Sequence, residues 1–209
     1  MVNFHKARVC ARCDADLPTV VSEGKSSSGI KSRLAVRALV CLAVCVAVLL
    51  GFYLSLIASA KSLTYDQETT VRAAIQLLEQ KGFDGEAMLL DNFTVYRSND
   101  NWLNASVEKE NAYAATNFPF EIMTLYEDFF KYPIDDTERA AILLHEARHL
   151  KGKDEKDAYE FVWRNRKKLG WVEEKYANFL VWQDVRRQTR IVSPNLFVCD
   201  SNKFGDCTE

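Results

Sequence analysis

Two histidines and a glutamate form the pattern in this sequence that is most able to do chemistry, His145-Glu146-Ala147-Arg148-His149. On an α-helix, positions four residues apart project from one face, so His145 and His149 can both present an imidazole nitrogen to an ion about 2 Å away. Glu146 projects beside them, where it can hold a water molecule and take its proton. The pattern predicts a zinc site with two histidine ligands and Glu146 as the general base.

The alternative is a polar helix surface that carries two imidazoles by chance. The chain has only three histidines, and two of them stand four residues apart with a glutamate directly after the first. The flanking sequence also predicts the helix that the site needs, because Asp135, Asp136 or Thr137 can cap its start and Gly152 can end it. Aliphatic residues run between these two points, and we therefore favour the metal site.

A catalytic zinc ion needs a third protein ligand and keeps a fourth position for water. Four acidic residues follow the histidine helix closely: Asp154, Glu155, Asp157 and Glu160. A glycine at position 152 lets the chain turn sharply, so an acid at the start of the next helix can return toward the ion. Proximity and charge leave all four residues as candidates.

The sequence around the motif resembles the core of zincin metallopeptidases, and most of all the HtpX-type gluzincin membrane endopeptidases. In that family an Asn-Ala-Phe/Tyr-Ala strand and an apolar strand precede a helix of the form ELAAVLAHELAH. Here Asn111-Ala112-Tyr113-Ala114, Ile122-Met123-Thr124-Leu125 and ERAAILLHEARH stand in those places. The resemblance covers about 50 residues, 111–160. It implies a compact, mainly helical α+β domain with a small β-sheet, one zinc ion, and hydrolysis of a peptide or protein substrate.

The resemblance also selects Glu155 as the third ligand. This residue stands at the tenth position after His145, where the metzincin pattern HExxHxxGxxH has its third histidine, and it opens EKDAY, which is similar to the glutamate segment of gluzincins. The family usually has several membrane spans and a longer insertion before this glutamate. Here only five residues separate His149 from Glu155.

A substrate site is implied in the same way. In the resemblance, residues 111–118 form an edge strand that can hydrogen-bond an extended peptide, with Asn111, Tyr113 and Ala114 as substrate-binding residues. A donor beside the developing oxyanion is also needed. The available side chains are Tyr176, which we include among the substrate-binding residues, and Tyr159, Arg186 and Arg187. The aromatic residues at helical spacing are expected in the core: Trp163, Trp171, Phe179 and Trp182.

Other elements follow from periodicity and turn chemistry. Apolar residues recur at helical spacing over residues 67–81, and a glycine follows. Residues 87–118 have β-branched and aromatic content that predicts two or three short strands. Helices are predicted over 154–170 and 172–190, before an extended C-terminal segment.

The run ALVCLAVCVAVLLGFYLSLIASA, residues 38–60, has no ionisable side chain except Tyr53 and is long enough to cross a hydrocarbon core about 30 Å thick. A buried helix of a soluble domain rarely stays apolar on every face. The run therefore predicts a single-pass membrane helix in a lipid bilayer. Basic residues dominate before it and acids follow it, so the positive-inside rule places the N-terminus in the cytoplasm.

Three segments are expected on this basis. Residues 1–37, rich in Gly, Ser and Lys, form a flexible cytoplasmic tail, residues 38–60 an uncleaved signal anchor, and residues 61–209 an exported catalytic domain. The competing interpretation is a signal peptide cleaved after Ala60, since Ala58-Ser59-Ala60 resembles a small-residue cleavage site.

Cysteine positions fit this topology. Cys199 and Cys207 lie on the exported side, where an oxidising compartment would close them into a disulfide loop. Cys10 and Cys13 form a CxxC in the tail, which could bind metal or respond to redox state, although two thiols in a flexible segment are the simpler interpretation. The net charge of −2 gives no reason to expect a nucleic-acid partner.

The sequence as a whole predicts a membrane-anchored, zinc-dependent peptidase. Metal-activated water, deprotonated by Glu146, would attack a peptide carbonyl. The alternative is a membrane-tethered binding or assembly factor that keeps the zincin fold without turnover. Loss of the base or of a ligand would favour that alternative, and this chain retains Glu146 and both histidines.

Overall fold

The structure is a computed structural model that describes residues 27–106, 113–199 and 203–204, together with residues 9, 13, 15 and 16. The chain divides into two compact units, Met1–Leu49 and Leu50–Glu209. The second unit therefore includes the last turns of the apolar run as well as the predicted exported domain. These last turns include Leu56, whose side chain is fully buried.

Helices make up most of the described chain, with a small sheet beside them. The helices are α1 (Ser27–Ala58), α2 (Tyr65–Gln80), α3 (Asp84–Asn92), α4 (Glu127–Lys131), α5 (Asp136–Leu150), α6 (Glu155–Leu169), α7 (Glu173–Tyr176) and α8 (Leu180–Val192). The strands are β1 (Val95–Arg97), β2 (Ala114–Asn117), β3 (Ile122–Leu125), β4 (Val198–Cys199) and β5 (Lys203–Phe204). The coarse expectation of an α+β protein is confirmed.

Helix α1 is the one helix among the described residues that is long and apolar enough to cross a membrane. Its apolar part, Ser32–Ala58, has 27 residues. This supports the predicted single-pass membrane protein. The orientation of the helix and the choice between an anchor and a cleaved signal peptide stay predictions, since a signal sequence near the N-terminus has the same length and composition.

Helix α2 confirms the helix predicted from the apolar period. Thr64 and Gln67 form a capping box at its start, in which each side chain accepts a hydrogen bond from the other residue's backbone N–H. The predicted apolar face is buried: Val71, Ala74, Ile75 and Leu78. It packs against α5 at the centre of the domain.

Residues 87–92 were predicted to be extended, and this prediction is wrong. They belong to α3, which has acids in its first turn and ends at Asn92. Ala, Met and Leu favour helices, and acids near a helix start complement its dipole. The β-branched residues begin only at Thr94, and strand β1 begins directly after it.

The three-stranded sheet has the order β1-β3-β2. Strand β3 is buried along its whole length, pairs in parallel with β1, and pairs antiparallel with β2, with Thr116 opposite Met123. Strand β2 is therefore an edge strand, as expected for the segment 111–118.

The helix predicted over residues 172–190 is divided into α7 and α8. Side chains six positions apart on a continuous helix project about 120° from each other. Tyr176 and Trp182 nevertheless both contact the Trp171 ring, at centroid distances of 6.5 and 4.9 Å. The chain breaks at Phe179, whose backbone is extended, and this lets both rings enter one core.

The core expectation for the aromatic residues is confirmed for the three tryptophans Trp163, Trp171 and Trp182, which are buried. Phe179 is an exception and lies exposed. Near the C-terminus, β4 and β5 pair as a short antiparallel ribbon. The predicted Cys199–Cys207 disulfide lies outside the described residues because it needs Cys207, and so does the Cys10 half of the CxxC; Cys13 is an exposed free thiol.

Candidate metal centre

Helix α5 carries the motif and is fixed at its start by a predicted cap. The Asp135 carboxylate accepts hydrogen bonds from the backbone N–H groups of Thr137 and Glu138, at 3.0 and 3.2 Å. Such a cap contributes about 1 kcal/mol to helix stability. The buried face of α5 includes Leu144 and Ala147, which leaves the histidines on a half-buried face.

Three side chains bring their ligand atoms together on that face. The Nε2 atoms of His145 and His149 are 3.1 Å apart. The Glu155 carboxylate meets both, with Oε2 3.2 Å from His145 Nε2 and Oε1 3.3 Å from His149 Nε2. Two ligand atoms bound about 2.0–2.1 Å from a tetrahedral ion are about 3.3–3.4 Å apart. These three residues could therefore hold a metal ion.

The hydrogen bonds of His149 determine which of its nitrogens faces this group. Its Nδ1 lies 2.9 Å from the carbonyl oxygen of Lys153. A carbonyl only accepts, so Nδ1 carries the proton and the Nε2 lone pair of the neutral ring points at the other ligand atoms. Lone pairs that face each other at this distance repel unless a cation lies between them. The arrangement therefore favours a proton or a metal ion.

The turn between α5 and α6 delivers Glu155 to the histidines. Gly152 has φ +70°, a left-handed conformation that side chains with a Cβ rarely adopt, and α6 begins two residues after Lys153. Asp154 is the N-cap of α6, and its side chain accepts from the Asp157 backbone N–H at 2.9 Å. Glu155 is therefore the first residue of α6 and faces back toward α5.

Arg148 holds the two helices in this register. Its Nε and Nη2 atoms donate to Oδ1 of Asp157 at 2.9 and 2.7 Å, and its guanidinium lies 4.3 Å from the centroid of the Phe161 ring. The Arg148 side chain is only 15% exposed, and its hydrogen-bond partner is Asp157. Because Arg148 belongs to α5 and Asp157 to α6, their ion pair connects the two helices.

The other acids proposed for the third position are engaged elsewhere. Asp154 caps α6 and Asp157 binds Arg148. Glu160 accepts from Arg164 Nε at 2.9 Å and from Ser193 Oγ at 3.2 Å. Of the four candidates, only Glu155 lies between the two histidines.

Glu146 has a partner that sequence reasoning missed. Its side chain is 6% exposed, and Oε2 accepts a hydrogen bond from Thr116 Oγ1 at 2.7 Å. Thr116 lies on the edge strand β2, thirty residues earlier in the chain. No sequence pattern around a threonine in a strand predicts such a contact. The contact places the general-base candidate between the edge strand and the ligand group.

The pKa values of His149 and Glu155 are shifted because the side chains of the ligand group lie close together. Hydrogen bonds from His145 and His149 hold the pKa of Glu155 well below its usual range. Burial alone would lower the pKa of His149, but its hydrogen bond to Glu155 and the nearby Glu146 charge raise it to about 9. In the metal-free protein, a proton on His149 therefore fills the role of the cation.

A cavity of about 290 Å³ opens over the ligand group. Tyr113, Ala114 and Tyr159 line it, and the Tyr159 ring lies 4.3 Å from the His145 ring between centroids. Burial, followed by the charges of Glu155 and Glu146, raises the pKa of Tyr159, so its hydroxyl stays protonated. The cavity thus contains a neutral hydrogen-bond donor next to the ligand group.

The far wall of the cavity belongs to α8. Tyr113 donates from its hydroxyl to Asp184 Oδ2 at 2.8 Å, and Arg187 donates to Asp184 Oδ1 at 2.8 Å. Arg187 lines this cavity, while Arg186 lines a different one.

One predicted substrate-binding residue, Tyr176, does not line the cavity. Tyr176 is buried away from the cavity, where its hydroxyl donates to Asp135 Oδ2 at 2.8 Å near the start of α5. It lies in the core because Trp171 packs against its ring. Asn111 lies outside the described residues. The chain matches no protein-family model, no curated protein and no solved structure.

Proposed function

We propose that this chain is a membrane-anchored, zinc-dependent peptidase. The observation that carries the proposal is the convergence of His145, His149 and Glu155, with ligand atoms 3.1–3.3 Å apart, beside the buried carboxylate of Glu146. Two imidazoles and one carboxylate are the donors of a catalytic zinc site, which leaves one position open. A zincin relationship, of the HtpX type or another, is part of this proposal.

A zinc ion bound by these three side chains would supply a Lewis acid that makes water a nucleophile near neutral pH and polarises a carbonyl. Glu146 would accept a proton from the attacking water and pass it to the leaving amine. Its carboxylate is oriented by the Thr116 hydroxyl, which occupies Oε2 and leaves Oε1 for the water. Burial of Glu146 excludes competing solvent from this proton transfer.

The substrate is an extended segment of a peptide or protein. Strand β2 is an edge of the sheet. Strand β3 pairs with one of its sides, and among the described residues no strand pairs with the other. A peptide that adds to the outer side would place its carbonyl groups along the cavity, past Tyr113 and Ala114. Strand addition binds through the backbone, so this mode tolerates many side chains.

Tyr159 is the proposed oxyanion donor. Tyr159 lines the same cavity as the ligand group, and its raised pKa keeps the hydroxyl protonated. Tyr159→Phe is expected to lower kcat about 100-fold with little change in KM, as for loss of one oxyanion donor. Steady-state kinetics and zinc content test this, with Tyr65→Phe as the control because Tyr65 is 82% exposed. A rise in KM at unchanged kcat would assign Tyr159 to substrate binding instead.

Zinc binding is expected to release a proton from His149. The folded pKa of about 9 lies above the ordinary 6.5, so in the metal-free protein this proton stabilises the fold below pH 6.5, and that contribution is lost as the pH rises through 9. Zinc requires the neutral ring, so its apparent affinity should rise about tenfold per pH unit up to about pH 9. Calorimetric zinc titration of the full chain in buffers of different ionisation enthalpy measures the released proton. A pH-independent affinity in this range would contradict the assignment.

The full chain in detergent tests the function directly. It should contain one zinc ion and hydrolyse an unstructured protein such as casein, and a chelator should remove both zinc and activity until zinc is restored. Absence of zinc from the protein as purified, and after incubation with zinc, would refute the central claim. Stoichiometric zinc without hydrolysis of any of several unstructured substrates would favour a zincin-fold binding or assembly factor.

A further inference from the structure

Five aromatic side chains gather at the C-terminal end of α1. Phe52 and Tyr53 belong to the helix, and Phe120 packs on both, at centroid distances of 5.3 and 6.5 Å. The Trp102 ring meets Phe52 edge-on at 5.4 Å. Phe118 and Phe120 both stand in the turn that joins β2 to β3. These five residues are called the aromatic surface below.

Two rings of the aromatic surface are exposed, and the other three are half-buried. Trp102 is 48% exposed and Phe118 is 58% exposed. The other three tryptophans of the chain are at most 2% exposed. A cluster of large apolar rings that faces outward marks a contact with something other than water.

Hydrogen bonds hold this surface in place against the helix. Trp102 donates from its indole Nε1 to Ser55 Oγ and from its backbone N–H to Ser59 Oγ, both at 3.2 Å. Its loop is fixed to the end of β2 by Asn101, whose Nδ2 donates to Asn117 Oδ1 at 2.8 Å. The polar groups around the rings are therefore satisfied by the protein, and an apolar environment leaves them bonded.

The position of Phe52 along the apolar run identifies that environment. The apolar part of α1, Ser32–Ala58, has 27 residues and is about 40 Å long, which exceeds a hydrocarbon core about 30 Å thick by about 10 Å. Phe52 stands six residues before Ala58, about 9 Å along the axis. A helix that fills the core from the start of this apolar part therefore places Phe52 at the boundary of the core on the exit side. Trp102 and Phe120 touch Phe52 and must lie at the same depth.

We infer that the aromatic surface of Phe52, Tyr53, Trp102, Phe118 and Phe120 sits in the interfacial layer of the lipid bilayer. Tryptophan and tyrosine are enriched at that layer, where an apolar ring and a polar tip are both accommodated. The domain is then held at the membrane in two ways. Its chain continues into the membrane helix, and its aromatic surface contacts lipid.

The aromatic surface also contacts the turn between the two helices of the candidate metal centre. The Phe118 ring packs on Gly152, where a Cβ would lie 3.5 Å from the ring. Gly152 is in the turn between α5 and α6, close to His149 and Glu155. The turn that precedes Glu155 is therefore held next to the bilayer surface. The inference rests on the membrane span and not on zinc or hydrolysis, so it can fail or hold independently of the proposed function.

Tryptophan fluorescence tests the inference with the full chain in vesicles. The chain has four tryptophans and three are buried, so Trp102 is the residue that lipid can reach. Phosphatidylcholine brominated near the top of the acyl chains is expected to quench part of the emission relative to unbrominated lipid. Trp102→Phe should abolish this quenching. Trp182→Phe should leave it unchanged, and Phe118→Trp should increase it.

Acrylamide, a quencher dissolved in water, gives the opposite test. If the surface faces water, acrylamide quenches the Trp102 fraction and brominated lipid does not. Quenching by lipid that persists in Trp102→Phe would also overturn the inference, because a buried tryptophan would then be the reporter. Phe118→Trp adds a tryptophan to the aromatic surface, so the increase in quenching that it should produce tests the inference even if Trp102→Phe folds poorly.

Discussion

Replacing Glu146 by glutamine is expected to lower kcat for peptide hydrolysis at least about 1,000-fold, within the range for loss of a general acid–base group. Glutamine keeps the shape of the side chain, and its amide oxygen can still accept the hydrogen bond from Thr116. It cannot take a proton from water. Because Glu146 is not among the three proposed ligands, Glu146→Gln should keep its zinc.

The measurement compares zinc content and casein hydrolysis for the wild type, Glu146→Gln and a control. Glu174→Gln is a suitable control because it makes the same chemical change at an exposed position. We expect one zinc ion in all three proteins. We expect hydrolysis by the wild type and Glu174→Gln but not by Glu146→Gln. Since the base acts in the transition state, kcat and kcat/KM should fall together.

Two other outcomes would be informative. Glu146→Gln with unchanged kcat would remove Glu146 from the mechanism and leave Glu155 or a solvent base to be examined. Loss of zinc in Glu146→Gln would mean that Glu146 supports the metal centre, in which case loss of activity would no longer identify a base. The zinc measurement therefore has to accompany every kinetic one.

Sequence reasoning brought together the residues of the candidate centre because their relations are local. The spacing of His145 and His149 acts within one helix, and the cap at Asp135 and the glycine at Gly152 mark where that helix begins and turns. Glu155 follows within six residues, so a sharp turn is enough to bring it back. Each of these relations depends on a few neighbouring residues, and periodicity and turn chemistry describe such relations well.

The parts that sequence could not supply depend on distant packing. Thr116 meets Glu146 across thirty residues, and no periodic pattern links a strand hydroxyl to a helix carboxylate. Tyr176 was predicted near the substrate but lies in the core, because the break at Phe179 redirects the chain. Such contacts are decided by how helices and sheet pack, which a single sequence does not specify residue by residue.

The third ligand gives the other large expected effect. Glu155→Ala removes the carboxylate that bridges the two histidines and leaves two imidazoles to hold the ion. Structural zinc sites bind with about 10–16 kcal/mol, or about 2.5–4 kcal/mol for each of four ligands. Loss of one ligand should therefore weaken zinc binding at least about 100-fold, and hydrolysis should be lost with it. The fold should persist, since Glu155 is exposed and its partners are the two histidines.

Glu160→Gln is the matched control, because it neutralises a neighbouring acid on the same helix that instead contacts Arg164 and Ser193. Zinc titration of both variants by competition with a chromogenic chelator distinguishes the assignments. We expect the affinity to fall in Glu155→Ala and to stay near the wild-type value in Glu160→Gln. Equal losses in both would indicate a general effect of negative charge near the histidines. Retained affinity in Glu155→Ala would mean that Glu155 is not the third ligand and that another side chain completes the shell.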